Sequence, residues 1–233
     1  MPKEKIVLCW SGGKDSCFSL YELKKTNEYE VVALLTTVTR DYERISMHGV
    51  RNQLLEEQAR ALGLPLEKVT ISKGADNQEY ETKMGSVLTE FKSRGVSSVA
   101  FGDIFLEDLR KYREGNLAKI GMNGVFPIWK RDSTELGRSF IKAGFRAVIA
   151  CVDSKQLNAS FAGRIYDEQF LADLPPSADP CGENGEFHSF VFDGPIFKNP
   201  VAFSKGEIVF KDERFYFCDL IPAGAVFAAP FAF

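Results

Sequence analysis

The chain has 233 residues and a mass of 26.0 kDa, room for one large domain or a domain with a smaller appendage at roughly 100 to 200 residues each. Hydrophobic residues make up 45% and charged residues 26%, a balance that builds a real core and excludes intrinsic disorder and fibrous or repeat architectures. Lys and Arg total 29 against 32 Asp and Glu, a formal charge of −3, so no basic field awaits a phosphate backbone and nucleic acid is not an expected partner.

The N-terminus MPKEKIVLCWSGGKDS carries no signal-peptide core, and no run of about 18 apolar residues occurs. A cytoplasmic protein without a membrane partner is expected. Cys9, Cys17, Cys151, Cys181 and Cys218 are too widely spaced for a disulfide framework or a CxxC zinc pair, so reduced thiols and no side-chain metal cluster are expected.

In chain order, strand-like runs at 5–10, 29–38, 66–72, 97–103 and 146–152 alternate with helical spacing over 17–26, 51–62, 79–94 and 134–143. This alternation predicts an α/β fold over residues 1–153, a Rossmann-like parallel sheet with helices on both faces. Ligands of such sheets bind beyond the carboxyl ends of the strands, here after Trp10, Thr37, Phe101 and Ile149. After Asp153 the texture changes to the breaker cluster LPPSADPCGENGE and the alternating runs FHSFVF, EIVFKD and RFYFCDL. These predict a smaller, mostly antiparallel β unit over 154–233. The apolar tail after Pro222 docks on the fold or on a partner.

Ser11-Gly12-Gly13-Lys14-Asp15-Ser16 follows the first strand and opens the first helix. Two glycines permit a tight turn and close approach to an anion, at which the helix aims free N–H groups and its positive end. Ser11 and Ser16 add hydroxyls, Lys14 adds a charge suited to phosphate, and Asp15 orients donors or stands near a magnesium ion. The spacing fits neither GxxxxGK[ST] nor GxGxxG. SGGKDS resembles instead the PP-loop of the N-type ATP pyrophosphatases, which cleave ATP between the α and β phosphates and pass an adenylated acceptor to ammonia or sulfur. The resemblance implies the HUP-type form of the Rossmann-like sheet.

Thr36, Thr37 and Thr39 end the second strand, where ribose or adenine would fall, although β propensity explains them equally well. His48 and Arg51 follow a charged loop; a cation in a first helical turn opposes the dipole unless an anion offsets it, which favours a functional role at the nucleotide over the alternative of a solvated Arg and a surface His. Gly102 and Asp103 close the fourth strand, Asp103 as a magnesium or acceptor residue or as an N-cap. Arg110 and Arg113, in the charged helix that follows, are weaker candidates. In the late turn DPCGENGEFHS, Glu183, Glu186 and His188 supply acid, base or recognition groups around Asn184 and Gly185. Cys181, between Asp179 and Glu183, reads as a structural thiol because those charges raise its pKa.

With the loop and the GENGE turn together, nearly the whole chain resembles the diphthine–ammonia ligase family. In that family the first domain binds ATP, and the C-terminal domain with its GExGE segment presents the acceptor carboxylate as AMP and pyrophosphate are released. The resemblance implies ATP and Mg²⁺, ATP contacts from Ser11 through Ser16, and acceptor contacts from Glu183 and Glu186. Joined to the residue reading, it makes Lys14, Asp15, Asp103, Glu183 and Glu186 the expected catalytic groups. Thr36, His48, Arg51 and Gly102 are then further nucleotide contacts, and Asn184, Gly185 and His188 further acceptor contacts. Asn184, His188-Ser189 and Gly102-Asp103-Ile104 depart from the archaeal and eukaryotic pattern and point to a bacterial-type branch. The expected partners are therefore ammonia or an amine and a carboxylate acceptor, diphthine-like or a small molecule. A tRNA thiolase is disfavoured by the charge and the missing Cys pair; a nucleotide sensor without turnover is the other alternative, and a homodimer is one option for assembly.

Overall fold

The computed structural model describes residues 2–39, 49–72 and 74–224. Strands β1 (Glu4–Cys9), β2 (Tyr29–Thr39), β3 (Leu66–Ile71), β4 (Ser98–Ala100) and β5 (Asn123–Val125) form one parallel sheet in the order β3-β2-β1-β4-β5. Helices α1 (Lys14–Thr26), α2 (Asn52–Leu62), α3 (Asn77–Ser93) and α4 (Glu107–Lys119) make the crossovers. The chain leaves β1 toward β2 and β3, then returns to the other side of β1 at β4, so the connections diverge above β1 and β4 and leave a crevice there.

Each helix follows from local pattern. On α2, Leu54, Leu55, Gln58, Ala59 and Leu62 are buried at helical spacing, and Gly63 closes it in the left-handed conformation at φ +69°. Asp76 caps α3 by accepting from Glu79 N, and Asp132 caps α5 (Ser133–Lys142) by accepting from Glu135 N.

The strand read at 146–152 requires correction. β6 (Arg146–Asp153) does not extend the parallel sheet; it pairs antiparallel with β7 (Phe187–Asp193) and β9 (Phe215–Pro222). With β8 (Phe203–Lys211) these strands form a second sheet, β7-β6-β9-β8. Ala147 to Asp153 are all buried, and a central strand covered on both faces is a continuous apolar run whichever way its neighbours point. The position after Ile149 is consequently not at the edge where the parallel strands end. The second sheet packs on the α1 and α2 side: one apolar cluster runs from Ile6, Leu8, Phe18 and Leu54 to Val148 and Phe190. A second cluster, with Val7, Leu35, Leu88, Phe101 and Leu117, fills the α3 and α4 side. Among the described residues no helix is long and apolar enough to cross a membrane.

Candidate active site

The chain leaves β1 at Trp10, whose N–H donates to Leu35 O at 2.8 Å, and turns at Gly12, where φ is +77°. A Cβ there would stand 2.7 Å from Leu55 Cδ2 and 2.8 Å from Gln58 Oε1, so only glycine serves. Gly13 caps α1 without a side-chain bond. Ser11 Oγ accepts from Gly13 N at 3.2 Å, and Ser16 Oγ donates to Gly13 O at 3.0 Å. Gly13, Asp15 and Ser16 thus present the start of α1 to a cavity of about 550 Å³, the arrangement that favours an anion.

That cavity lies above the carboxyl ends of β1, β2 and β4 and is closed on one side by the turn before β7. Of the residues singled out in the sequence, Ser11, Gly13, Asp15, Ser16, Thr36, Gly102, Asp103, Glu183, Asn184, Gly185 and His188 share its wall. Gly12, Lys14, Arg51 and Glu186 do not, and His48 lies outside the described residues. Gly102 brings two elements together: its Cβ would stand 2.8 Å from Ser16 N and 2.9 Å from Asp15 C, so the end of β4 rests on the first turn of α1.

Lys14 lies behind the loop, 2% exposed. Its Nζ is 2.5 Å from Asp15 Oδ1 and 5.8 Å and 6.0 Å from the ring centroids of Tyr166 and Phe187. Burial opposes its charge, but the Asp15 carboxylate prevails and holds the lysine above its ordinary pKa. Its backbone N–H donates to Ser189 Oγ at 3.1 Å, which ties α1 to β7. Cys181 packs beside it, with Sγ 3.2 Å from Ser133 O; burial pushes the thiol up to about 12 against the pull of Lys14, leaving a protonated structural group.

The two glutamates of the turn are placed differently. Glu186 is fully buried: Oε1 accepts from Asp179 N at 2.8 Å and Asn184 Nδ2 at 3.1 Å, and Oε2 accepts from Asn184 N at 3.0 Å. Its carboxylate shapes the turn. Glu183 reaches across to the loop after β4, where Oε1 accepts from Ile104 N at 2.8 Å. Burial pushes its carboxyl up to about 7, opposed by the Ile104 amide and Lys14 and assisted by Asp15.

Asp103 stands with Oδ2 2.7 Å from Arg113 Nε and accepts from Arg113 Nη2 at 3.2 Å, while the guanidinium covers the Phe101 ring at 4.4 Å. Among the described residues no group of three or more His, Cys, Asp or Glu side chains is arranged to hold a metal. Arg51 is the extended N-cap of α2 rather than a residue of its first turn. It donates to Asp219 Oδ1 from Nε at 3.2 Å and to Oδ2 from Nη2 at 2.7 Å, so the anion that offsets it beside the helix start is Asp219 of β9.

Sequence reasoning missed Gln58. Fully buried, it accepts from Trp10 Nε1 at 3.0 Å and donates from Nε2 to Gly12 O at 2.9 Å and Val191 O at 2.5 Å. One side chain therefore fixes the end of β1, the loop and β7. The signal was a polar residue on the apolar stripe of α2.

Comparison with known proteins agrees with this layout. Residues 4–124 match the family model described as the diphthamide synthase N-terminal domain, and residues 132–221 match the diphthamide synthase C-terminal domain. A Danio rerio protein named diphthine–ammonia ligase is 27% identical over 237 residues, covering 91% of this chain and 91% of its own. The Homo sapiens protein of that name is 26% identical over 228 residues, covering 88% and 85%. A solved "predicted subunit of tRNA methyltransferase" from Methanocaldococcus jannaschii aligns with 61% of this chain and 77% of its own, at 19% identity and a TM-score of 0.43. The two family models take in both sheets and every wall of the cavity, and the chain belongs to the diphthamide synthase family.

Proposed function

We propose that the chain is an ATP-dependent ligase that forms an amide at a carboxylate acceptor and releases AMP and pyrophosphate, a reading supported by relatives that carry the name diphthine–ammonia ligase. The observation that carries the reading is the meeting of the SGGKDS loop and the GENGE turn on one cavity, with Glu183 on Ile104 N and Ser189 on Lys14 N. The first supplies helix-start amides for phosphate; the second brings a carboxylate to the same space.

An acceptor oxygen attacks the α-phosphorus and pyrophosphate leaves. Ammonia then attacks the acyl carbon, AMP departs with the carbon–oxygen electron pair, and the nitrogen gives up a proton. Glu183, held at about 7, takes that proton near neutral pH, where a base of matched pKa works best. Magnesium bound with the triphosphate would offset part of its charge. Asp15 and Asp103, which share the cavity wall, would hold it through water.

The test is product analysis with ATP, ammonium and candidate carboxylates, where AMP and pyrophosphate are expected in step with acceptor. ADP and phosphate would contradict the assignment. ATP binding with no acceptor-dependent turnover would favour a nucleotide sensor.

A further inference from the structure

A second cavity, of about 240 Å³, lies between α3 and α4. It adjoins the first, for Cys9, Tyr80, Met84, Phe101 and Arg113 line both. Its charged groups are paired: Arg113 rests on Asp103, and Glu81 accepts from Tyr112 Oη at 3.0 Å and from Lys119 Nζ at 3.1 Å. The polar lining residues are engaged too, Thr82 Oγ1 donating to Gln78 O at 2.7 Å and Asn116 Oδ1 accepting from Lys119 Nζ at 2.8 Å, so a ligand meets mainly the surface of Met84, Leu88 and Phe101 and the rings of the two tyrosines. Burial pushes both the Cys9 thiol and the Tyr80 phenol up to about 12, so these groups are neutral as well.

Gly85 is the second observation. It lies inside α3, lines this cavity, and has no heavy atom within 4 Å of the position its Cβ would take. A glycine inside a helix costs about 0.5 to 1 kcal/mol relative to alanine. Neither a positive φ nor a close neighbour calls for it here. What it preserves is open volume beside the site.

We propose that the second cavity binds the uncharged, ring-bearing or aliphatic part of the acceptor, while the acceptor's carboxylate lies in the first cavity with the nucleotide. This rests on the ligase reading and names its substrate class: a carboxylate joined to an apolar body. A phosphate or second carboxylate would be desolvated there without a free partner, whereas an aromatic or aliphatic group gains the area it removes from water. The tie between Glu81, Tyr112 and Lys119 joins α3 to α4 and holds the width of the slot.

Calorimetric titration of the full chain with 3-phenylpropionate and with propionate tests this by binding alone. The aryl acid is expected to bind at least tenfold more tightly, about 1.4 kcal/mol. Gly85→Leu, which puts a strong helix former into open space, is expected to abolish that preference with an unchanged or raised melting temperature. Affinity for a non-hydrolysable ATP analogue is expected to stay within twofold. Equal binding of the two acids to the wild-type chain would overturn the proposal, as would an undiminished preference in Gly85→Leu. So would a loss of ATP-analogue affinity in the variant, which would assign the cavity to the adenine base. The ligase reading fails by a different result, ADP formation or no pyrophosphate release, whatever these affinities are.

Discussion

Glu186 holds three donors of its own turn, whereas Glu183 gives one oxygen to Ile104 N and lies on the cavity wall. The same substitution at each should therefore act differently. Glu186→Gln turns an amide NH₂ toward N–H donors and is expected to lower stability by roughly 1 to 3 kcal/mol, read as a fall in melting temperature. Glu183→Gln is expected to leave ATP affinity intact while acceptor-dependent turnover falls by about 10²- to 10⁴-fold, the loss of a general base. Wild-type turnover should rise as pH passes 7, and the variant should lose that limb. Stability runs the other way. With its folded pKa raised to about 7, Glu183 favours the folded state below the ordinary carboxyl range, and that contribution is lost as pH rises through 7. The melting temperature of Glu183→Gln should consequently gain on wild type between about pH 5 and pH 8; a constant gap would show that the carboxyl is not perturbed. The acidic cluster was legible in the sequence, but this division was not. Which glutamate turns inward depends on where Asp179 N and Asn184 N point, a matter of backbone geometry at Gly182 and Gly185. Lys14 was likewise legible as a charge in an anion loop, but not as one laid behind it on Asp15.

At the scale of elements, α2 does more than cover the sheet. Gln58→Leu keeps the apolar stripe but leaves Gly12 O, Val191 O and Trp10 Nε1 without their partner. Orphaned buried groups cost about 1 to 3 kcal/mol each, so a drop of several kcal/mol in urea titration and weakened ATP binding are expected together. Loss of stability with ATP affinity unchanged would show that the loop holds its shape unaided. Helices α1, α2, α3 and α5 and the first three strands could be read from periodicity, because 3.6-residue spacing and β-branched runs directly encode burial on one or both faces, whereas α4 buries only Leu117 and shows no apolar stripe. β5, three residues long, carries no such pattern, and β6 carries one that is the same for a parallel and an antiparallel centre. Gln58 was invisible for a related reason: a polar residue on an apolar stripe shows that something polar is buried, not what it meets 133 residues away.

Across the whole molecule, the two sheets are joined by more than apolar contact. Arg51 pairs with Asp219, Lys198 N donates to Ala61 O at 2.8 Å, and Val191 N donates to Gly12 O at 3.0 Å, while one apolar cluster spans both. Unfolding in denaturant is therefore expected to be a single transition, with the fluorescence of Trp10 and Trp129 and the far-ultraviolet circular dichroism sharing one midpoint. Two separated midpoints would show the sheets to be independent. The carbonyl of Gly12 and the amide of Lys14 find their partners on β7, and from this follows a limit on how the protein can be rearranged. The SGGKDS loop is not a portable cassette: moved to another scaffold without its antiparallel companion, it would present the same six residues in another shape. Recombination between family members should preserve activity only where the crossing partners are inherited together, Gln58 with the strand that carries Val191, and Arg51 with Asp219.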